Sequence, residues 1–268
     1  MQTDTRLVFI KLGGSLITDK DIASTARPEV LLSLCRQLRR ALDDMPGLRI
    51  LLGHGSGSFG HAAAEKANWR RGEPFHGNWT GYRAIWQAAR ALNHLVLESL
   101  QQAGVPALAF PPSASVIAER GTITRWDIEP LEHALAAGMV PVVYGDIVFD
   151  NIHDAAILST ENLFVHLAGR LRPQRILLAG ITPGVCSDFP DCRTTIPEIT
   201  PAAFPALESI IHGSGSTDVT GGMVDKVRSM LALVQNLPGL EVMILDGRPQ
   251  DALYHALQGH GTGTRLHT

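Results

Sequence analysis

Lysine is scarce in this chain. Only four of its 23 basic residues are lysines, namely Lys11, Lys20, Lys66 and Lys226; arginine supplies the remaining positive charge. Three of the four, Lys11, Lys20 and Lys226, lie in glycine-rich or turn-rich stretches, where a compact, mobile ammonium offers something arginine's planar fork does not. Cysteine is scarcer still. Cys35, Cys186 and Cys192 are too few for a disulfide framework and too scattered for a zinc site, and they read as reduced thiols of a cytoplasmic protein. There is no run of like charge and no basic arm, and the net charge is −3, which argues against a nucleic-acid partner. No apolar stretch reaches the roughly 18 residues of a membrane span. The opening MQTDTRLVFIKLGGS has neither a charged n-region nor a long apolar core, so export and membrane insertion are not expected. The dipeptide Gly-Lys never occurs, which excludes a Walker A loop, and the H-R-D and D-F-G elements of protein kinases are missing too.

What is present suits a large α/β domain: 268 residues, 45% hydrophobic. Nearly continuous apolar runs predict strands at 7–12, 49–52, 106–110, 139–144, 175–179 and 241–245, with a short last strand at 264–266. Runs of this kind suit parallel strands covered on both faces. Helical periodicity predicts helices at 28–42, 80–103, 130–137, 159–171, 201–211 and 222–236. The helix at 80–103 carries an apolar stripe through Tyr82, Ile85, Trp86, Ala89, Leu92, Val96 and Leu100, read as core. With no repeat or linker, the expected architecture is one three-layer αβα sandwich over 1–268 with a mostly parallel central sheet. Ligands of such sheets gather beyond the strand C-termini.

The loops at those ends carry the chemistry. The first strand runs into Lys11-Leu12-Gly13-Gly14-Ser15, where two glycines let backbone N–H groups approach a phosphate. Lys20 follows nine residues after Lys11. The second strand ends in Gly53-His54-Gly55-Ser56-Gly57-Ser58-Phe59-Gly60-His61, an anion-binding turn before a helix. Its G-x-G-x-x-G spacing is not followed by a strand ending in an acid, so a dinucleotide reading fails. The fourth strand delivers Gly145 and Asp146. A last polar loop, 213–221, opens a helix at Gly222 with Lys226 one turn in.

Taken together, K-L-G-G-S at 11–15, the glycine turn at 53–61, G-D at 145–146 and D-V-T-G-G-M-x-x-K at 218–226 resemble the amino acid kinase superfamily. Within it, K-L-G-G-S-L-I-T-D-K and H-G-S-G-S-F-G-H are most similar to the isopentenyl phosphate kinases, whose turn ends in the histidine at 61. The resemblance implies the amino acid kinase fold and Mg2+-ATP-dependent phosphorylation of isopentenyl phosphate. It also implies a homodimer, with substrate in the N-terminal half and nucleotide in the C-terminal half. Lys11, Gly13, Gly14, Ser15 and Gly57 are then implied as contacts to ATP phosphates, and Lys20 as a transition-state-stabilising lysine. Ser56, Gly60 and His61 would hold the substrate phosphate beside Gly145 and Asp146, while Gly222 and Lys226 belong to the nucleotide loop. Lys11, Lys20, His61 and Lys226 form the implied catalytic set, and no protein ligand to the metal is implied. Where relatives read Ser-Gly-Asp this chain has Ser159-Thr160-Glu161, so Glu161 is the residue expected to orient a lysine. The turn Gly180–Val185 departs from the family pattern, and Thr182 is the candidate nucleotide contact there. An isopentenyl chain needs an apolar pocket, for which Phe75, Ile85 and Trp86 are candidates. A kinase of the fosfomycin type, which shares the histidine-bearing turn, and a non-catalytic nucleotide-binding protein are the alternatives.

Overall fold

The computed structural model describes residues 6–70, 72–212 and 222–268. In chain order the first half contains β1 (Arg6–Leu12), α1 (Gly14–Ile17), α2 (Pro28–Asp44), β2 (Leu48–His54), α3 (Gly57–Lys66), α4 (Trp79–Gln102), β3 (Ala107–Ala109), β4 (Val116–Glu119), β5 (Thr122–Trp126) and α5 (Glu129–Ala136). The second half contains β6 (Val140–Tyr144), β7 (Asp146–Asp150), β8 (Asp154–Leu158), α6 (Thr160–Leu171), β9 (Arg175–Gly180), β10 (Val185–Cys186), β11 (Thr195–Ile196) and β12 (Glu198–Ile199). It closes with α7 (Phe204–His212), α8 (Gly222–Asn236), β13 (Glu241–Asp246), α9 (Ala252–Gln258) and β14 (Thr264–Leu266).

The expected central sheet forms, in the order β12-β14-β13-β9-β1-β2-β6-β3. Every neighbouring pair is parallel except β13 with β14. Side-chain alternation divides its apolar residues between two cores. Val8, Ile10 and Leu12 of β1 join Ile50 and Leu52 of β2 beneath α2, α4 and α9. Phe9 and Leu51 point the other way, toward α5, α6 and α8. Lys11 shares the parity of Phe9. It is therefore delivered to the side on which α6 and α8 begin, and this parity sets the polar site described below.

Close approach of α6 to the sheet depends on one glycine. Gly53 pairs in register with Lys11, and a Cβ there would meet Thr160 Cγ2 at 2.5 Å and the Phe164 ring at 2.7 Å. Phe164 in turn packs on Phe9, ring centroids 5.1 Å apart. Ser159 and Asn162 close a capping box at the start of α6.

A second sheet, β5-β4-β7-β8, is built from strands that the apolar runs of the sequence do not predict. Asp146 and Asp150 bracket β7 and look like turn residues in the sequence. In the structure Asp150 is what joins two hairpin turns. Its carboxylate accepts from Arg120 and Gly121 N–H at 3.1 and 2.8 Å and from Ile152 and His153 N–H at 2.9 Å each. Burial works to raise its pKa, but these N–H groups hold it below the ordinary carboxylate value.

The expectation of three reduced thiols is corrected. Cys186 and Cys192 form a disulfide, their Cα atoms 5.1 Å apart. The cause is local: pairing of β10 with β11 folds the intervening loop back. The Asp188 carboxylate tightens that loop by accepting from Arg193 and Thr194 N–H. A count of cysteines does not register such a hairpin. Cys35 alone is free, its thiol pushed up to about 12 by burial. Among the described residues no helix is long and apolar enough to cross a membrane.

Replacing Gly53 with alanine should overpack this contact and lower stability by about 1–3 kcal/mol. Urea denaturation of the two proteins checks it, and an unchanged midpoint would mean that α6 can back away from the sheet freely.

Candidate active site

The loops after β1 and β2 lie backbone against backbone. A Cβ on Gly14 would run into the backbone of Gly57, whose own φ of +50° is in the region glycine adopts most readily. Thr18 laces the two loops together: its hydroxyl donates to the Gly14 carbonyl at 2.8 Å and accepts from Ser58 N–H at 3.0 Å. Gly13 N–H donates to the Ala179 carbonyl at 2.7 Å, tying the first loop to the end of β9. The absent side chains thus let the chain at the C-terminal edge of β1, β2 and β9 pack backbone against backbone into a close cradle. Gly13 closes the chain turn after β1, Gly14 and Ser15 open α1, and Gly57 opens α3.

Beside that cradle sits a compact charge cluster. Lys11 Nζ donates to Glu161 Oε2 at 2.5 Å, with only 14% and 11% of the two side chains exposed. Burial works to raise the pKa of Glu161. The positive charges of Lys11 and Lys226 and the Lys11 hydrogen bond outweigh it, so the carboxyl stays below its usual value. Lys226, one turn into α8, thus acts on the same carboxylate that Lys11 touches. Glu161 thus accepts a hydrogen bond from Lys11 and feels the charge of Lys226.

Lys20 is placed differently. It is exposed, on a turn closed by the bridge between Thr18 and Ala26. Thr25 N–H reaches Ser58 Oγ at 3.4 Å, so this turn is fastened to the start of α3. Thr182 lies in the loop that follows β9, and Gly222 opens α8. Residues 218–221 of the nucleotide-loop motif fall outside the described residues.

The five residues expected around the acceptor phosphate line one pocket: Ser56, Gly60, His61, Gly145 and Asp146. Ser56 immediately precedes α3, Gly60 and His61 lie in its first turns, and Gly145 is the break between β6 and β7. His61 is exposed at the pocket and Asp146 is buried. Ala64, Trp69, Ile85, Ala89 and Ile157 supply an apolar wall, and Ser159 and Asn162 of the α6 capping box complete the lining.

Of the three apolar candidates only Ile85 is in this wall. Trp86 is corrected to a neighbouring groove with Arg90 and Leu97, and Phe75 to a small core cluster behind the pocket. One helical step accounts for Trp86: Ile85 and Ala89, four residues apart, share a face that the next position leaves. Trp69 and Ile157 come from separate elements and carried no sequence signal. Ser159 and Asn162 join the lining because the capping box places them at the start of α6.

Asp146 Oδ1 accepts from Ile147 N–H at 2.9 Å and Oδ2 from Ser113 N–H at 3.1 Å. Burial nevertheless raises its carboxyl to about 6, because these bonds compensate only in part. Behind it, His54 is fully buried and stacked on Tyr144, and burial pulls its imidazole down to about 4. Among the described residues no group of three or more His, Cys, Asp or Glu is arranged to hold a metal ion.

Comparison with known proteins agrees with this architecture. A family model described as the amino acid kinase family matches residues 6–246. An isopentenyl phosphate kinase of Methanothermobacter thermautotrophicus is 32% identical across 97% of this chain and 98% of its own. One of Haloferax volcanii is 37% identical across 85% of this chain and 88% of its own. X-ray structures of isopentenyl phosphate kinase superpose with a TM-score of 0.81 at 29% identity, covering 97% of this chain and 100% of that one. The chain belongs to the amino acid kinase family.

Proposed function

We propose that the protein transfers the γ-phosphoryl group of ATP to isopentenyl phosphate, yielding isopentenyl diphosphate and ADP. One observation carries the reading. A single pocket joins a helix N-terminus, a histidine and a serine to an apolar wall of Ala64, Trp69, Ile85, Ala89 and Ile157. That combination suits a small phosphate ester with a hydrocarbon tail. Each buried CH2 of a five-carbon chain contributes about 0.8 kcal/mol, a gain that a polar acceptor such as acetylglutamate would forgo. The relatives named above carry the same activity in their names.

In this reading the acceptor sits in the N-terminal half and the nucleotide in the C-terminal half of one domain. The cradle of Gly13, Gly14 and Gly57 takes the ATP phosphates. Ser15, Thr182 and Gly222 border the nucleotide. Mg2+, carried on those phosphates, supplies further positive charge when bound.

The chemistry asks little covalent work of the protein. An anionic acceptor approaches an anionic donor, so the barrier is largely electrostatic, and positioning together with fixed positive charge lowers it. Lys11, held by Glu161, and Lys226, whose charge acts on the same carboxylate, present ammonium groups toward the transferred oxygens. The orientation of Lys11 is set before substrates arrive, so little reorganisation is left for the reactive moment. Lys20 approaches from its turn beside α3. His61 and the N–H groups at the start of α3 hold the acceptor phosphate.

Release of ADP, followed by a coupled assay with isopentenyl phosphate, dimethylallyl phosphate, fosfomycin and acetylglutamate, tests the assignment. The two prenyl phosphates should be phosphorylated fastest; a faster rate with fosfomycin or acetylglutamate would overturn it. Lys20→Ala should lower kcat by roughly 10²–10³, the cost of losing one preorganised transition-state donor, and full activity would make Lys20 an ordinary turn cation. His61→Ala should chiefly raise KM for the acceptor. Unchanged kcat and KM would remove His61 from the site.

A further inference from the structure

The pocket contains an apparent contradiction. It is built for an anion, yet Asp146 lies in its wall, the one carboxylate among the described lining residues, and only 1% of Asp146 is exposed. A fully ionised carboxylate beside a doubly charged phosphate would oppose binding, since like charges at close range suppress each other's ionisation.

The neighbours of Asp146 do not remove the difficulty. The turn at 112–114 brings Ser113, which donates its N–H, and β7 itself brings the Ile147 N–H. α4 brings Tyr82 and Arg90, β6 brings Tyr144, α3 brings His61, and β8 with the start of α6 brings Leu158 and Ser159. Tyr82 and Tyr144 are both pushed upward, mainly by burial and further by the Asp146 charge. Arg90 acts on Tyr144. Among the described residues no lysine or arginine forms an ion pair with Asp146, and no cation offsets its burial.

We propose that Asp146 and the acceptor phosphate share one proton, and that Asp146 takes it from the acceptor as transfer proceeds. This rests on the phosphate-acceptor reading of the pocket. The P–O–H bond of the bound monoanion breaks and its proton passes to the Asp146 carboxylate. The freed oxygen forms its bond to the γ-phosphorus, the bond from that phosphorus to the β–γ bridging oxygen breaks, and the electron pair leaves with ADP. The carboxylic acid returns its proton to solvent after the diphosphate departs.

The match of acidities supports the idea. Asp146 lies at about 6, and a phosphate monoester loses its second proton at about 6 as well. Two groups so matched titrate as a pair. The pair is productive with one proton. With two it lacks the nucleophile, and with none both partners are fully charged and repel. The sign follows: acceptor kcat/KM should fall on both sides of about pH 6, the value the two free partners share, the alkaline limb marking loss of the shared proton.

The test compares wild type with Asp146→Asn, measuring kcat and acceptor KM for isopentenyl phosphate between pH 5.5 and 9. In the variant the alkaline limb should disappear, because the dianion binds without facing a carboxylate. Its kcat should lie within about threefold of wild type at pH 8.5 and about tenfold or more below it at pH 6, where the acceptor needs somewhere to leave its proton. Profiles that superimpose after scaling would give Asp146 a purely structural role and overturn the proposal. Calorimetry of isopentenyl phosphate binding at pH 7.5, in two buffers of different ionisation enthalpy, needs only the wild-type protein. Uptake of about one proton is expected, and no uptake would overturn the proposal whether or not the variant folds. Because His61 can also take up a proton, His61→Asn is measured alongside; loss of all uptake there would assign the proton to His61 and overturn it as well. Failure of wild type to phosphorylate any prenyl phosphate would be a different result, sinking the acceptor reading itself.

Discussion

Glu161 is nearly removed from water and remains ionised because Lys11 donates to it and Lys226 faces it. Much of the architecture can be read as the means of placing that one carboxylate. The parity of β1 turns Lys11 toward α6, the missing side chain of Gly53 lets α6 come close, and the Ser159–Asn162 capping box starts the helix where Glu161 falls in its first turn. A buried ion pair is weak evidence for stability, since desolvation offsets most of the attraction. Its value here is geometric. The Lys11 ammonium is kept in one place, and the charge of Lys226 acts on the same carboxylate.

A second constraint runs through the glycines. Gly14 and Gly57 allow two strand–helix loops to touch through their backbones, and Thr18 fastens the contact by hydrogen bonds on both sides. The cradle therefore needs no large side chains of its own. In the proposed arrangement the charge cluster provides positive potential on the nucleotide side, while α3 provides N–H groups and β7 a carboxylate on the acceptor side. The asymmetry is chemically sensible if one phosphate must be held as a leaving-group donor and the other must arrive carrying a proton.

The central sheet was legible because parallel strands buried on both faces write themselves as continuous apolar runs, and β1, β9 and β13 do so plainly. The β7–β8 hairpin was not, because its order comes from Asp150 gathering N–H groups of residues up to thirty positions apart in sequence. Gly13, Gly14, Ser56, Gly60 and His61 stand out in the sequence as phosphate-type loops, and the family pattern points to Glu161 as orienting a lysine without saying that the lysine is Lys11. Trp69, Ala89 and Ile157 were not, since they come from three elements that meet only in the folded chain. The disulfide was missed for a related reason: Cys186 and Cys192 are joined by strand pairing, which a cysteine count does not contain.

The most direct measurement of the central claim is the steady-state kcat of Glu161→Gln with saturating ATP and isopentenyl phosphate. Glutamine keeps the shape of the side chain and removes the charge that gathers Lys11 and Lys226. The account predicts a kcat lower by about tenfold or more, as expected when preorganised charge is lost from the transition state, with acceptor KM little changed. A kcat equal to that of wild type would contradict it, showing that these lysines reach their working positions without the carboxylate.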